Sequence, residues 1–431
     1  MEPGRWTKAL NRVCIALAWM LIAADILLAS VYLVTYQITA ARLLEVMIVI
    51  AVVLLGGVRE RIRPSTWKVM IWAYALIAYK LLLDLTLHSD GSLESVGTFL
   101  IDIFIVSMLP MFEMIGERRI NVPKTILIVI VPMCLLGAMQ YYNHHYELWR
   151  MVPTNGLIIF ERRTFDYLNA TNRIVGTYRI AIGFSLVLGV AGIILWAKGM
   201  VQKQLFRRIA AMTCIAGIFI LIVYSQTRSA IYGLPLAIFA TYVLAGRLSS
   251  KQIALVSAFA IMGVLGFSSF QMAVTKYSKR SVFGMDANTY YKITSNLYGV
   301  YAALHENPLF GVQVNRDLDK TGENTRDIQL VRKGRQELGD ILNLGNEYRL
   351  TATNHNLIAY YLKYYGFIGF VMLIGLMVSM YSKARRKTNT NERYAVMGTF
   401  VYFLQFSLLH NTQILEFLPL WLMLSHGDEN A

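Results

Sequence analysis

The most constraining feature of this sequence is a series of apolar runs, because a run of about 20 residues crosses a bilayer as a helix. Of the 431 residues, 56% are hydrophobic and only 16% are charged, whereas soluble chains carry about 25% charged residues. The sequence therefore predicts an all-α integral membrane protein with about twelve transmembrane helices. The predicted spans are 12–35, 40–57, 67–87, 95–115, 123–141, 176–197, 207–225, 229–246, 251–271, 355–381, 393–409 and 413–427.

Basic residues cluster in every second loop, which sets the predicted orientation. The loop after the third span carries Asp90 and Glu94 instead. Since lysine and arginine concentrate in cytoplasmic loops, both termini are expected in the cytoplasm. The net charge of +15 thus belongs to loops beside anionic lipid and does not indicate a nucleic-acid-binding domain. The basic loop residues are Arg59, Arg61, Arg63, Arg118, Arg119, Lys124, Lys198, Lys203, Arg207, Arg208, Arg247, Lys251, Lys383, Arg385, Arg386 and Lys387.

This orientation places two long loops outside the cytoplasm and divides the chain into three parts. Residues 1–271 are predicted to form transmembrane helices 1–9, with an extracytoplasmic loop at about 142–175. Residues 272–354 are predicted to form a much larger extracytoplasmic loop, and residues 355–431 to form transmembrane helices 10–12. A structureless loop of that length is unusual in a compact protein, so we expect it to fold into a small helical cap.

Four polar segments are predicted to gather at the outer face of the membrane. Each of them opens or closes a predicted span or lies within the large loop. We therefore expect them to form one surface. The segments are Thr-Asn-Arg-Ile-Val-Gly at 171–176, Ser-Gln-Thr-Arg-Ser at 225–229, His-Glu-Asn-Pro-Leu-Phe-Gly-Val at 305–312 and Asn-His-Asn at 354–356.

The residue types in these segments suit a phosphate-bearing substrate. Arg173 lies at the mouth of the sixth span, and Arg228 lies in the turn between the seventh and eighth spans. Arginine makes bidentate, charge-assisted bonds to phosphate and stays protonated, so two or three arginines could hold a pyrophosphate. His355 opens the tenth span. The helix dipole disfavours its protonated form, which makes it a candidate general base.

Each of these residues also has a purely structural interpretation. A single arginine at a membrane boundary can be an anchor that extends its charge to the headgroups. Asn354 can cap the tenth helix by accepting from free backbone N–H groups. Gly366 and Gly369 can allow close helix packing, and Pro308 with Gly311 can form a turn. The residues alone leave both interpretations open.

In their order and topology, the segments resemble the bacterial O-antigen ligase and O-antigen polymerase superfamily. The string that opens the tenth span reads His-Asn, nine residues, Gly-x-x-Gly, and it looks like the ligase-type signature. The resemblance covers about residues 170–370, and the first five spans only in hydropathy and topology. The matching residues are Arg173 with Gly176, the Gln226-Thr227-Arg228 turn, Asn307 to Gly311, and His355 to Gly369.

The resemblance implies a GT-C-like membrane glycosyltransferase of the O-antigen ligase type at the periplasmic face of the bacterial inner membrane. It implies a glycan donor on undecaprenyl pyrophosphate and a lipid A-core acceptor. Arg173 and Arg228 would bind the pyrophosphate, and His355 would activate the acceptor hydroxyl. Because the donor brings its own leaving group, neither a metal nor another cofactor is expected. Further expected substrate-binding residues are Arg316, Arg349 and Asn356.

The sequence also departs from the family, which leaves ligase and polymerase open. A polymerase would transfer the same donor glycan to a second lipid-linked glycan. Many members have an arginine where this chain has Ile293. Some ligases also differ from this chain at Tyr232, His410 and Asn411. The residues that could supply the missing charge are Lys292, Arg316 and Arg349.

Ionisable residues inside the predicted spans are costly in a bilayer and are functional candidates by default. They are Asp25, Lys80, Asp84 and Asp102. Lys80 and Asp84 lie four residues apart on one helix, so we predict that they pair with each other in a structural role. A transporter would place its site near the midplane between matching halves. The sequence has no matching halves, so transport is the least favoured function.

Overall fold

The computed structural model describes residues 3–28, 32–33, 40–54, 62–87, 93–115, 120–143, 158–159, 174, 176, 181–244, 281–282, 285–312, 325–339, 356–409, 414–415 and 417–427. Within these residues the chain forms thirteen helices and two antiparallel ladders of two-residue strands. The predicted all-helical class is therefore confirmed.

The helices in chain order are α1 (Pro3–Leu27), α2 (Ala40–Leu54), α3 (Pro64–Thr86), α4 (Leu93–Ile115), α5 (Val122–Asn143), α6 (Ala181–Val201), α7 (Leu205–Tyr224), α8 (Arg228–Leu244), α9 (Ala287–Glu306), α10 (Thr325–Leu338), α11 (Leu357–Arg385), α12 (Thr390–Leu409) and α13 (Leu418–Ser425). Strand β1 (Tyr32–Leu33) pairs with β2 (Ile158–Ile159), and β3 (Ser281–Val282) pairs with β4 (Met285–Asp286).

Six of the described helices, α3, α4, α5, α6, α7 and α11, are long and apolar enough to cross a membrane. By helix length and hydropathy the chain is a multi-pass membrane protein. Every predicted span overlaps a helix except 251–271, which lies outside the described residues. The predicted twelfth span, 413–427, is wrong in length. Helix α13 has only 8 residues, or about 12 Å of helix, which is less than half the thickness of a bilayer core.

Burial distinguishes inner from outer helices. Helix α6 is apolar all round and packs against α5, α7, α8 and α12, as expected for a helix inside a bundle. Helix α12 crosses α6 so closely that a Cβ at Gly189 would lie 2.1 Å from the ring of Tyr402. Helix α7 lies at the periphery, where Phe206 is 81% exposed. Such exposure suits a helix whose outer face meets lipid instead of water.

Helices α3 and α11 pack antiparallel along their lengths, which defines two ends of the bundle. Tyr79, late in α3, donates to the carbonyl oxygen of Tyr365, early in α11. Thr66, early in α3, accepts from Lys383, late in α11. We call the end where α11 begins the Asn356 end and the opposite end the Lys383 end.

Contacts at the two ends of α12 show at which end of the bundle α8 begins. Near its start, Arg393 donates to the carbonyl oxygen of Lys387 at the Lys383 end. Near its finish, Gln405 donates to the carbonyl oxygen of Ser229 at 3.3 Å. Helix α8, which begins at Arg228, therefore begins at the Asn356 end.

The Lys383 end is held by a buried network of charges. Lys383 Nζ donates to the Glu113 carboxylate of α4, to Thr66 Oγ1 at 2.7 Å and to Ser65 Oγ at 3.3 Å. Lys383 and Lys387 are both fully buried. The expectation that these two lysines lie in a loop beside lipid headgroups is therefore wrong. Carboxylate, hydroxyl and carbonyl oxygens within the protein replace water around their ammonium groups.

The segment after α13 completes this end. The carbonyl oxygen of Gly427 accepts from Arg63 Nη1 and, at 3.1 Å, from Lys387 Nζ. His426, beyond the last turn of α13, is buried beside this contact. Burial, together with the charges of Lys387, Lys198 and Arg63, lowers the pKa of His426 to about 3. Its imidazole is therefore uncharged near neutral pH.

Candidate functional site

Helix α11 begins with a side-chain cap at the Asn356 end. The backbone of Asn356 is extended, and its Oδ1 accepts from Ile358 N at 2.8 Å and Ala359 N at 3.1 Å. These contacts satisfy two of the N–H groups that a helix start leaves without partners. Asn356 thus caps this helix, and Asn354, to which the structural interpretation gave that role, lies outside the described residues. The Asn356 side-chain oxygen is engaged with the helix, and His355 also lies outside the described residues.

Helix α11 is broken at Gly366. This residue has φ 59° and ψ −162°, a conformation that only glycine adopts readily. The break divides α11 into a first half, residues 357–365, and a longer second half. It leaves backbone groups on both sides without their usual helical partners. Something outside the helix must therefore bond to them.

The Asn307–Val312 turn supplies those bonds. On one side of the break, Phe367 N donates to Pro308 O at 2.9 Å, and Ile368 N donates to Leu309 O at 3.3 Å. On the other side, Val312 N donates to Lys363 O at 2.8 Å. The turn thus replaces helical bonds both before and after the break. The Pro-Leu-Phe-Gly segment and the Gly-x-x-Gly string form one structural unit.

The turn has its own internal restraints. Asn307 O accepts from Gly311 N at 2.9 Å, and Asn307 Oδ1 accepts from Phe310 N at 3.2 Å. Gly311 has φ 73°, and a Cβ there would lie 2.5 Å from the carbonyl carbon of Tyr364. Glycine is needed here for both conformation and space. The sequence interpretation of Pro308 and Gly311 as a turn is therefore correct. The turn also supplies hydrogen bonds that α11 lacks at its break.

A buried ion pair lies beside the break. Lys80 Nζ of α3 contacts Asp102 Oδ2 of α4 at 2.9 Å, and both residues are buried. The predicted pairing of Lys80 with Asp84 on the same helix is therefore wrong, because a carboxylate on the neighbouring helix takes its place. Asp84, four residues further along α3, is also buried. The Lys80 ammonium lies 6.0 Å from the centre of the Tyr365 ring.

The helices of the large loop contact the same half of α11. Helices α9 and α10 pack against each other, and α9 packs against α11. Lys363 is buried, and its Cδ lies 3.1 Å from the position of a Cβ at Gly299 of α9. Its Nζ lies 5.4 Å from the centre of the Tyr364 ring. The first half of α11 therefore joins the loop helices to the bundle.

The turn that carries Arg228 connects α7 directly to α8 at the Asn356 end. Gln226 has φ 52°, which is uncommon for a non-glycine residue and reverses the chain in a short distance. Thr227 N donates to Ser225 Oγ at 3.3 Å, and Thr227 Oγ1 donates to Ala181 O at 3.3 Å, at the start of α6. Arg228 is the first residue of α8, and its side chain lies outside the described part of the structure.

The segment that carries Arg173 is held to α5. Gly176 N donates to Gln140 Oε1 at 2.9 Å, and Gln140 Nε2 donates to Gly176 O at 3.0 Å. Beside Gln140, the ring of Tyr141 stacks on Tyr224, the last residue of α7, at 3.8 Å between ring centres. Gly176 therefore lies at the same end of the bundle as the Arg228 turn.

The structure brings parts of all four segments to the Asn356 end. The contacts above assign to this end Gly176, the Arg228 backbone, the Asn307–Val312 turn and Asn356. The remaining expected site residues lie outside the described residues, and they are Arg173, Arg316, Arg349 and His355.

Sequence reasoning missed the residues that hold these segments in place. Gln140, Lys363 and Gln405 each lie within an apolar run and are costly in a bilayer unless they are bonded. That cost is a signal that could have identified them. Tyr79 carries no comparable signal, because tyrosine is common near membrane surfaces.

The sequence matches no known family model and no curated protein. The superfamily named from the motif order therefore stays a hypothesis about this chain, and the function rests on the residues and their arrangement.

Proposed function

We propose that this protein is an O-antigen ligase-type membrane glycosyltransferase. It would transfer a glycan from undecaprenyl pyrophosphate to the lipid A-core in the outer leaflet of the bacterial inner membrane. The proposal includes a GT-C-like arrangement of the membrane helices, with both termini in the cytoplasm and the Asn356 end in the periplasm.

The proposed reaction needs one base and a cluster of fixed positive charge. His355 accepts the proton of the acceptor hydroxyl, whose oxygen attacks the anomeric carbon of the donor sugar. The bond from that carbon to the pyrophosphate oxygen breaks, and undecaprenyl pyrophosphate leaves with the electron pair. The charge that grows on the leaving group is stabilised by Arg228 and Arg173. Further candidates for this role are Arg316 and Arg349.

One observation carries most of the support. The turn at Asn307–Val312 completes the break of α11 at Gly366, so two of the segments that resemble the family form one unit. The Arg228 backbone lies at the same end of the bundle. The placement of the Arg228 backbone and of Asn356 at one end of the bundle supports the proposal, because a shared lipid-linked substrate requires its binding residues on one side of the membrane.

The direct test is transfer by the purified protein. Wild-type protein in detergent or nanodiscs should move glycan from undecaprenyl pyrophosphate to lipid A-core without nucleotide or added metal. Arg228→Ala and His355→Ala should each lower the rate by about a hundredfold or more. The matched control is Arg386→Ala, which removes an exposed arginine at the Lys383 end and should keep full activity. Full activity in either site variant would refute the residue assignment.

The second candidate is a polymerase that uses the same donor. Two departures from the family pattern favour this candidate: many members have an arginine where this chain has Ile293, and some ligases differ from it at Tyr232. Lipid analysis of a deletion strain separates the two functions. Loss of a ligase leaves long polymer on the carrier and bare core, whereas loss of a polymerase leaves a single repeat on the core.

A further inference from the structure

The buried pair of Lys80 and Asp102 is difficult to explain by stability alone. Both side chains are almost completely removed from solvent, at 8% and 2% exposure. Removing two charges from water costs about as much as their attraction returns, so a buried pair is often no better than two apolar side chains. Asp102 Oδ1 has no hydrogen-bond partner among the described residues, which adds to the cost.

One member of the pair, Lys80, lies beside the first half of α11. Lys80 lies over the Tyr365 ring, at the outer limit for a cation–π contact. Tyr79, the neighbour of Lys80, donates to Tyr365 O at 3.0 Å. Consecutive residues of α3 therefore hold the last residue before the break by its ring and by its carbonyl oxygen.

The break makes the first half of α11 a separately positioned unit. At Gly366 the helical hydrogen bonds are interrupted, so the second half of the helix does not fix the direction of the first. The orientation of residues 357–365 depends instead on their outside contacts. Those contacts are the Asn307–Val312 turn, α9 through Lys363, and the α3 and α4 residues around the ion pair.

We propose that the Lys80–Asp102 pair is a positioning pair that sets the orientation of the first half of α11, the helix that His355 precedes by two positions in the sequence. This rests on the proposed function as far as His355 acts as the base. The pair itself touches neither substrate nor reacting atoms. A displacement of about 1 Å at a reacting group can cost about a hundredfold in rate, so a rigid support for this short helix has a direct catalytic consequence.

The test removes both charges together, because removing one leaves the other buried and unpaired. The variant is Lys80→Met with Asp102→Leu. The matched control is Lys383→Met with Glu113→Leu, which removes the buried pair at the other end of α11. Amide hydrogen exchange is measured peptide by peptide, and kcat and KM are measured with the lipid-linked donor.

The expected result is local and specific. In the Lys80/Asp102 double variant, exchange in residues 357–365 rises at least about tenfold, while the second half of α11 keeps wild-type exchange. The kcat falls at least about tenfold with an unchanged donor KM. The control variant keeps wild-type exchange in residues 357–365 and wild-type kcat. A single Lys80→Arg variant, which keeps a positive charge opposite Asp102, retains most of the wild-type kcat.

Other outcomes overturn the proposal or separate it from the proposed function. Unchanged exchange in residues 357–365 overturns it, whatever the rate does. Raised exchange with a wild-type kcat removes its link to catalysis. If wild-type protein transfers no glycan, the proposed function fails, and the exchange result still decides whether the pair positions the helix. If the double variant does not fold, Tyr365→Leu and its ring-retaining control Tyr365→Phe decide instead. Only the former should raise exchange.

Discussion

The carbonyl oxygen of Leu309 occupies the space in which a side chain at Gly366 would begin. A Cβ at residue 366 would lie 2.3 Å from that oxygen, and a Cβ at Gly311 would lie 2.5 Å from the carbonyl carbon of Tyr364. The two glycines therefore interlock two backbone segments that are distant in the sequence. This close fit allows the turn to bond to both sides of the break in α11.

The first prediction concerns Gly366→Ala. Alanine is strained at φ 59° and ψ −162° and would collide with Leu309, so the free energy of unfolding should fall by about 3 kcal/mol. Denaturation in detergent measures this. The control is Gly217→Ala in α7, where an added Cβ has nothing within 4 Å. This substitution should stabilise the helix by up to about 1 kcal/mol. Equal stability of the two variants would contradict the interlock.

The second prediction separates the two roles suggested for Asn356. Asn356→Ala should lower the free energy of unfolding by about 1 kcal/mol, because two N–H groups lose their acceptor. Asn356→Ser should retain nearly full stability, since serine also caps helices well. Transfer assays on both variants then test substrate binding. If the serine variant is stable but inactive, Asn356 does more than cap the helix.

The third prediction concerns the pair at the Lys383 end. Lys383→Met leaves the Glu113 carboxylate buried without its cation, and the free energy of unfolding should fall by about 3–5 kcal/mol. Adding Glu113→Leu should recover most of that loss, because no buried charge remains. Thermal unfolding of the single and double variants measures both steps. A double variant no more stable than the single one would show that the pair has a net stabilising role.

The fourth prediction is a pH dependence due to His426. Its pKa is about 3 in the folded protein, against an ordinary value of 6.5. Between these values the unfolded chain binds a proton that the folded chain does not, so stability falls as the pH falls through this window. His426→Gln removes this contribution, which amounts to at most about 1.4 kcal/mol per pH unit. The variant should lose stability less steeply than wild type between pH 6.5 and pH 4, and parallel profiles would falsify the burial of a neutral imidazole.

The positions of the membrane helices followed from local sequence. Helix α3 begins at Pro64 and helix α5 ends at Asn143, close to the predicted limits. An apolar run of sufficient length forms a helix in a bilayer because the backbone must satisfy its own hydrogen bonds there. The shortness of α13 was not predictable in this way. Its apolar residues are almost all buried inside the bundle, and hydropathy does not distinguish protein from lipid as the surroundings.

The sequence by itself determined that the chain is a helical membrane protein. It also predicted that segments containing arginine, histidine and glycine lie at the ends of its helices. Only the tertiary structure decided which of those segments meet. Lys80 pairs with Asp102 on the next helix, and the break at Gly366 is completed by a turn from the large loop. Helical periodicity identifies neighbours on one helix, at three or four residues' separation. Contacts between helices depend on how the whole bundle packs.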